Sequence, residues 1–207
     1  MTLGPHLGRL VFAGSPALAV GPVAGIPKGR LGEEFAELLG QRNGFVAFES
    51  ALVVRGTGAN PDDLAAWNAE PGWRASYSGM ADGIFFFAED IFGGQFGLVG
   101  EVVVAFDPET GDRRVVGSSL EDWAQQLLVD FDLMTGYPLA QAWQRRFGPL
   151  PLGKRLIPKI PFVLGGDFVI ENLYALDARV GMQVRGELAV QIRDLPDGAQ
   201  VSYRVVD

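Results

Sequence analysis

Residues 85–100 read FFFAEDIFGGQFGLVG, the most informative stretch of the chain. Three phenylalanines run into the adjacent carboxylates of Glu89 and Asp90, and Gly93 and Gly94 follow. Because side chains of a strand alternate between its faces, at least one face of this segment belongs to a core. The glycines let the chain reverse where a side chain would clash. We therefore predict a strand, a tight turn and a second strand, with Asp90 accepting backbone N–H groups in the turn.

Composition excludes several kinds of chemistry. The 207 residues are 48% hydrophobic and 20% charged, as in an ordinary globular chain. Cysteine is absent and His6 is the single histidine, which disfavours zinc sites, thiolate chemistry and histidine-dependent triads. No phosphate-binding or dinucleotide-binding glycine motif is present. We predict no catalytic residues, no metal and no cofactor, and the lack of cysteine fits a reducing, cytoplasmic location.

The negative charge is concentrated in one window of the chain. The net charge is −8, and residues 49–112 hold eleven acidic residues against Arg55 and Arg74 alone. An acidic surface repels phosphate, which argues against nucleic acid and anionic membranes as partners. It favours a basic protein partner, although negative charge also serves solubility. The apolar stretches are interrupted by Gly and Pro, so no membrane-spanning helix is expected.

Local patterns predict the elements of the first half. Residues 1–30 have no clear period, and we expect one short strand near Ala17–Val20. A helix is predicted over 32–42, then two short strands within 45–56. Asn60 and Pro61 are typical of a helix start, as N-cap and first helical residue. Residues 73–117 are predicted to be strand-rich, and the tract DPETGD at 107–112 to form a hairpin turn.

The second half begins with the most regular helix. Its apolar residues recur with helical spacing: Leu120, Trp123, Ala124, Leu127, Leu128, Phe131 and Met134. Ser118 or Ser119 is the expected cap, and a shorter helix follows at 138–148. Four prolines within 149–161 favour a connecting segment. A terminal hairpin is predicted at 187–206.

This order predicts three parts. Residues 1–27 form an N-terminal arm, and residues 28–148 form an α+β domain. Residues 149–207 form a β-rich extension that ends in the hairpin.

Four motifs occur in a fixed order: NGF at 43–45, FES with ALVV at 48–54, FFFAEDIFGGQFGL at 85–98 and SLEDWAQQLL at 119–128. In this order they resemble the SUKH superfamily, which contains a yeast regulator of cell-wall synthesis and many bacterial toxin-immunity proteins. The family's strand–turn signature, FA-x-D-x-x-G-x-x-F, is matched by Phe87, Ala88, Asp90, Gly93 and Phe96. Its SL-x-x-W/F helix entry is matched by Ser119, Leu120 and Trp123. The resemblance covers about residues 28–135 and does not extend to 150–207.

The resemblance implies an α+β fold with a central, mainly antiparallel sheet and flanking helices, and no enzymatic activity. In bacteria such domains typically bind and block the catalytic domain of a toxin. We therefore expect a cytoplasmic immunity protein whose partner is a basic toxin domain. The candidate acidic binding face comprises Glu49, Asp82, Glu89 and Asp107.

Two alternatives remain open. The first is a regulatory or scaffold module, with residues 149–207 as a docking or dimerisation surface, which leaves homo-oligomers open. The second is a hydrolase that uses paired carboxylates. Glu89 and Asp90 are adjacent in a predicted strand and point to opposite faces, so they cannot flank one bond together. A partner for either acid would be Glu49, Asp82 or Asp107.

Overall fold

The computed structural model describes residues 3–58, 63–196, 198–199 and 201. Its helices are α1 (Pro5–Ala13), α2 (Arg30–Gln41), α3 (Leu64–Asn68), α4 (Leu120–Val129), α5 (Phe131–Thr135), α6 (Tyr137–Phe147) and α7 (Ala178–Ile192). Its strands are β1 (Phe45–Ala47), β2 (Leu52–Val54), β3 (Phe85–Asp90), β4 (Gln95–Val99), β5 (Val102–Phe106), β6 (Arg113–Gly117), β7 (Lys154–Pro158) and β8 (Leu173–Asp177). Short 3₁₀ helices occur at Trp73–Tyr77, Phe162–Leu164 and Ile170–Asn172.

The first six strands form one antiparallel sheet in which spatial order equals chain order. The opening stretch supplies β3 and β4, paired from Phe85 with Leu98 to Glu89 with Gln95. The predicted strand–turn–strand unit is therefore confirmed, as is the hairpin turn between β5 and β6. The expected α+β fold, with a central antiparallel sheet and flanking helices, is also confirmed.

Helices α1, α2 and α4 cover one face of the sheet. Phe87 lies at the centre of this core and is fully buried. Its ring centroid is 5.2 Å from that of Phe35 in α2 and 5.0 Å from that of Trp123 in α4. The periodic apolar residues of the sequence other than Leu128 thus lie in or against one core with the strands.

An aromatic core covers the other face, between the sheet and α7. Its ring residues are Trp67, Trp73, Tyr77, Phe86 and Phe106. Phe86 and Phe87 therefore serve opposite faces of the sheet, as alternation along a strand requires. A smaller third core joins α6 with β7 and β8 beside the β3–β4 turn.

The N-terminal segment differs from the expectation. Residues 5–13 form α1, whose Leu7 and Leu10 are buried in the first core. The strand predicted at Ala17–Val20 is wrong, although the amides of Leu18 and Ala19 donate to backbone carbonyls next to β1. The pattern was hidden because a nine-residue helix with two buried residues shows too few periods to be recognised.

The starts of α3 and α4 and the end of α4 are defined by capping residues. Ser119 caps α4, since the Asp122 amide donates to its hydroxyl at 3.0 Å. The helical pattern over 120–134 is interrupted at Asp130, which ends α4 and begins α5. The helix predicted from Asn60 begins at Leu64 with Asp63 as its cap, while Asn60 and Pro61 lie outside the described residues.

The C-terminal predictions are corrected in two places. The proline-rich segment 149–161 contains β7 and is not only a connection. Residues 187–192 belong to α7, so the strand of the predicted hairpin is wrong there, and residues 202–207 lie outside the described residues. The helical period was hidden because the buried stripe of α7 includes Gly181, Arg185 and Gly186 in place of large apolar residues.

Close packing explains those two glycines. A β-carbon on Gly181 would lie 2.8 Å from the Ile157 side chain of β7. A β-carbon on Gly186 would lie 2.8 Å from the ring of Tyr77. Glycine thus lets α7 approach both neighbours, which positions Arg185 beside the β3–β4 turn.

Candidate functional site

The β3–β4 turn is organised by Asp90. The amides of Phe92 and Gly94 donate to Asp90 Oδ1, both at 2.8 Å, and the Asp90 amide donates to the Gly94 carbonyl at 2.8 Å. Gly93 has a φ of 80°, a conformation that favours glycine. A β-carbon on Gly94 would collide with the Asp90 carboxylate. Asp90, Gly93 and Gly94 therefore act together in forming the turn.

Asp90 is also chemically unusual. Desolvation raises the pKa of its carboxyl to about 7, against the opposing effects of the two amide bonds and of Arg185. The negative charge of Glu89 adds to the increase. A carboxyl group in this range changes its protonation near neutral pH.

Glu89 is buried within the protein, at 1% exposure, and this corrects its assignment to the acidic face. Its carboxylate lies between two buried arginines, with Oε2 2.8 Å from Arg55 and Oε1 2.8 Å from Arg155. Gln95 also donates to Oε2, at 3.1 Å. Burial opposes ionisation of Glu89, but the attraction of Arg155 and Arg55 outweighs it and lowers the pKa.

This buried ion cluster joins distant parts of the chain. Arg55 follows β2 and stacks on the Trp67 ring, 3.4 Å from the ring centroid. The Trp67 indole N–H donates to Gln95 at 2.9 Å. Arg155 comes from β7, so Glu89 links the sheet to residues 149–207. Glu89 is therefore the buried partner of two arginines and not a surface residue.

The other three residues of the predicted acidic face are exposed but not adjacent. Glu49 lies in the β1–β2 turn, where Tyr137 donates to it at 3.2 Å. Asp107 lies in the β5–β6 turn, roughly 20 Å away by strand spacing. Asp82 precedes β3 and its carbonyl accepts from Arg113. The four acids therefore do not form one binding face.

The structure instead shows an open cleft of about 880 Å³. It lies between the β3–β4 turn, the β5–β6 turn, α4 with α5, and residues 162–168. Its apolar walls include Phe92, Phe96, Phe106, Phe162, Phe168 and Met134. Asp90 and Asp107 line it, whereas Glu49, Asp82 and Glu89 do not. A mainly apolar concavity with a few polar groups is the usual form of a binding site.

Glu109 and Arg185 are the polar groups at its base that sequence reasoning missed. Glu109 is 4% exposed, and its Oε2 accepts from the Val163 amide at 2.8 Å. Desolvation raises its pKa despite that bond and the nearby Arg185. Arg185 donates to the carbonyls of Gly181, at 3.0 Å, and of Phe92. The tract DPETGD predicted only a turn, since nothing local shows that Glu109 faces residues 162–168.

The rim of the cleft exposes large apolar side chains. Val129 is 80% exposed, Leu133 81% and Phe168 63%. Val129 and Leu133 lie off the periodic stripe of residues 120–134, and this was the available signal that they face outward. Clustered exposed apolar residues are typical of an interaction surface.

Asp90→Asn is expected to reduce the pH dependence of stability between about pH 5 and 8. The folded-state pKa of Asp90 exceeds the unfolded value near 3.9, so the folded protein retains this proton and wild-type stability falls as the pH rises through 7. Asparagine keeps the acceptor for the two amides and cannot ionise. Relative to the variant, the wild type should lose about 1 kcal/mol or more over this range in urea titrations.

Arg185 and Glu89 are the charged groups that face Asp90, and both are present in the variant and the wild type. The comparison therefore isolates the Asp90 proton. A difference in unfolding free energy that is the same at pH 5 and 8 would contradict the shifted pKa.

No family model matches the chain, and no curated protein matches it. Among solved structures, the chain is similar to the crystal structure of Atu4351 from Agrobacterium tumefaciens, at 13% sequence identity and a TM-score of 0.49. The similarity covers 90% of this chain and 82% of that chain. Within the described ranges, no helix combines the length and apolar character needed to cross a membrane.

Proposed function

We propose that this protein is a non-enzymatic, SUKH-like binding domain that acts in the bacterial cytoplasm as an immunity protein and neutralises a basic toxin domain. The observation that carries the proposal is the cleft with its exposed apolar rim of Val129, Leu133 and Phe168. Exposed apolar side chains clustered around a concavity are typical of protein–protein contacts. The negative charge around them would attract a basic domain and raise its association rate.

The carboxylates of the cleft favour binding over hydrolysis. A glycosidase pair needs one protonated and one ionised carboxyl group, which requires environments that move the two pKa values apart. Burial raises the pKa of Asp90 and of Glu109 alike. Asp90 Oδ1 is also engaged by two turn amides. The shared direction of the two pKa shifts and the engagement of Asp90 Oδ1 in the turn favour a binding role over hydrolysis.

Co-expression with the products of neighbouring genes tests the proposal. The chain should co-purify with a toxic product of an adjacent gene and restore the growth of cells that express it. If the chain binds none of the adjacent products and rescues no growth defect, the immunity role is wrong. Binding to housekeeping proteins alone would favour the regulatory alternative.

Leu133→Asp is expected to weaken binding of the toxin domain at least tenfold. The side chain is exposed at the rim, so a charge there removes apolar contact with the partner and costs the free protein little. Leu152→Asp is the matched control, because Leu152 is 63% exposed and does not line the cleft. Titration calorimetry measures the affinities. Equal affinities for the two variants would place the partner elsewhere.

A further inference from the structure

The Glu109 carboxylate at the base of the cleft has one oxygen that is buried and poorly hydrogen-bonded. Glu109 is held by the bond from the Val163 amide to Oε2, and the residue is 4% exposed. The Phe162 amide also interacts with this carboxylate, but within the described part of the chain no hydrogen bond of normal geometry reaches the buried Oε1. A buried carboxylate oxygen without a donor is costly, and a donor brought by a ligand would relieve that cost. Glu109 therefore keeps acceptor capacity that a donor from a partner could use.

The charges around this oxygen favour a cationic donor. The residues that line the cleft include five acids, which are Asp90, Asp107, Glu109, Asp112 and Asp130. They include three arginines, which are Arg113, Arg114 and Arg185. Arg113 donates to the carbonyls of Met80 and Asp82, and Arg185 to those of Phe92 and Gly181. Since two of the three arginines are directed to backbone carbonyls, the carboxylates keep acceptor capacity for an incoming cation.

The walls favour a flat cation over a compact one. The rings of Phe162 and Phe168 are stacked, with centroids 3.9 Å apart and an interplanar angle of 6°. Phe168 is 63% exposed and thus offers ring surface at the cleft. A guanidinium group can stack on an aromatic face and donate in its own plane at the same time, which an ammonium group cannot do.

We propose that the cleft receives an arginine side chain from an apolar segment of the partner protein, with Glu109 Oε1 accepting from its guanidinium group. This inference rests on the proposed function, because it names the chemistry by which the same cleft recognises its partner. The apolar rim holds the flanking residues of the segment, and the acids at the mouth of the cleft attract its charge.

Peptide selection tests the inference without a known partner. A displayed library of random twelve-residue peptides is selected on the full chain, and affinities of the enriched peptides are measured by calorimetry. We expect arginine next to apolar residues in these peptides. Replacing that arginine by citrulline, which is neutral and nearly isosteric, should weaken binding at least tenfold.

Variants of the chain locate the acceptor. Glu109→Gln should weaken the binding of the arginine-containing peptides about 10- to 100-fold, since a hydrogen bond to a charged group is lost. Glutamine still offers an oxygen to the Val163 amide, and thermal unfolding verifies that the variant folds. Glu187→Gln is the matched control, because Glu187 is exposed on α7 and does not line the cleft. It should leave the affinity unchanged.

The outcomes separate this inference from the proposed function. The arginine site is wrong if the enriched peptides lack arginine although Leu133→Asp weakens their binding. It is also wrong if the peptides bind Glu109→Gln as tightly as the wild type. Both results leave the binding role of the cleft intact. A failure to enrich any peptide also overturns it. If arginine amide binds as tightly as the peptides, the cleft is a small-molecule site and the inference is wrong. Growth rescue by the chain tests the immunity role separately.

Discussion

Glu89→Gln is expected to lower the free energy of unfolding by about 3–5 kcal/mol. The carboxylate lies 2.8 Å from both Arg55 and Arg155 and is shielded from water. Without its negative charge, two buried positive charges lose the group that compensates them, and water cannot replace it. The variant should also loosen the contact of β7 with the sheet, since Arg155 reaches Glu89 from β7.

Urea titration followed by tryptophan fluorescence measures this loss, with Glu187→Gln as the control that removes an exposed charge of the same kind. The folded-state pKa of Glu89 is lowered, so its contribution is present above the unfolded pKa near 4.3 and is lost as the pH falls below it. The gap between wild type and variant should therefore narrow in acid. A loss below about 1 kcal/mol at pH 7 would show that the cluster contributes little net stability.

Phe87→Ala is expected to cost about 3–5 kcal/mol of stability as well. The ring is fully buried between Phe35 and Trp123, with centroid distances of 5.2 Å and 5.0 Å. Its removal leaves a cavity between the sheet and two helices, and the neighbouring rings cannot fill it without leaving their own contacts.

Phe12→Ala is the matched control, because Phe12 is 90% exposed on α1. Its replacement should change the free energy of unfolding by less than about 0.5 kcal/mol. Thermal and urea unfolding of both variants gives the comparison. Similar losses for the two variants would contradict the placement of Phe87 at the centre of the core.

Much of the fold follows from short-range patterns. The phenylalanines at 85–87, the paired glycines and Asp90 lie within a few residues of one another, so their sequence predicts the β3–β4 unit. The same holds for Ser119 and the apolar period of α4. Helix caps, tight turns and hydrophobic periodicity depend on residues that are close together in the chain, so the local sequence is enough to predict them.

Helix α7 shows where such patterns fail. Its buried stripe contains two glycines and an arginine, because the helix packs closely against Tyr77 and Ile157. Those neighbours lie far away in the chain, and without them the stripe resembles a polar, glycine-containing segment. The apolar and β-branched residues of the same segment then suggest a strand.

Glu89 and Glu109 show the same limit of local sequence patterns within the candidate site. Local sequence determines that Glu89 lies in a strand and that Glu109 lies in a turn, since alternation and turn chemistry are short-range. Whether each carboxylate meets water, an arginine or an open cleft depends on β7 and on residues 162–168. Burial and charge compensation arise only when segments distant in the chain pack together, so the tertiary structure alone makes Glu89 a structural residue and Glu109 part of the cleft.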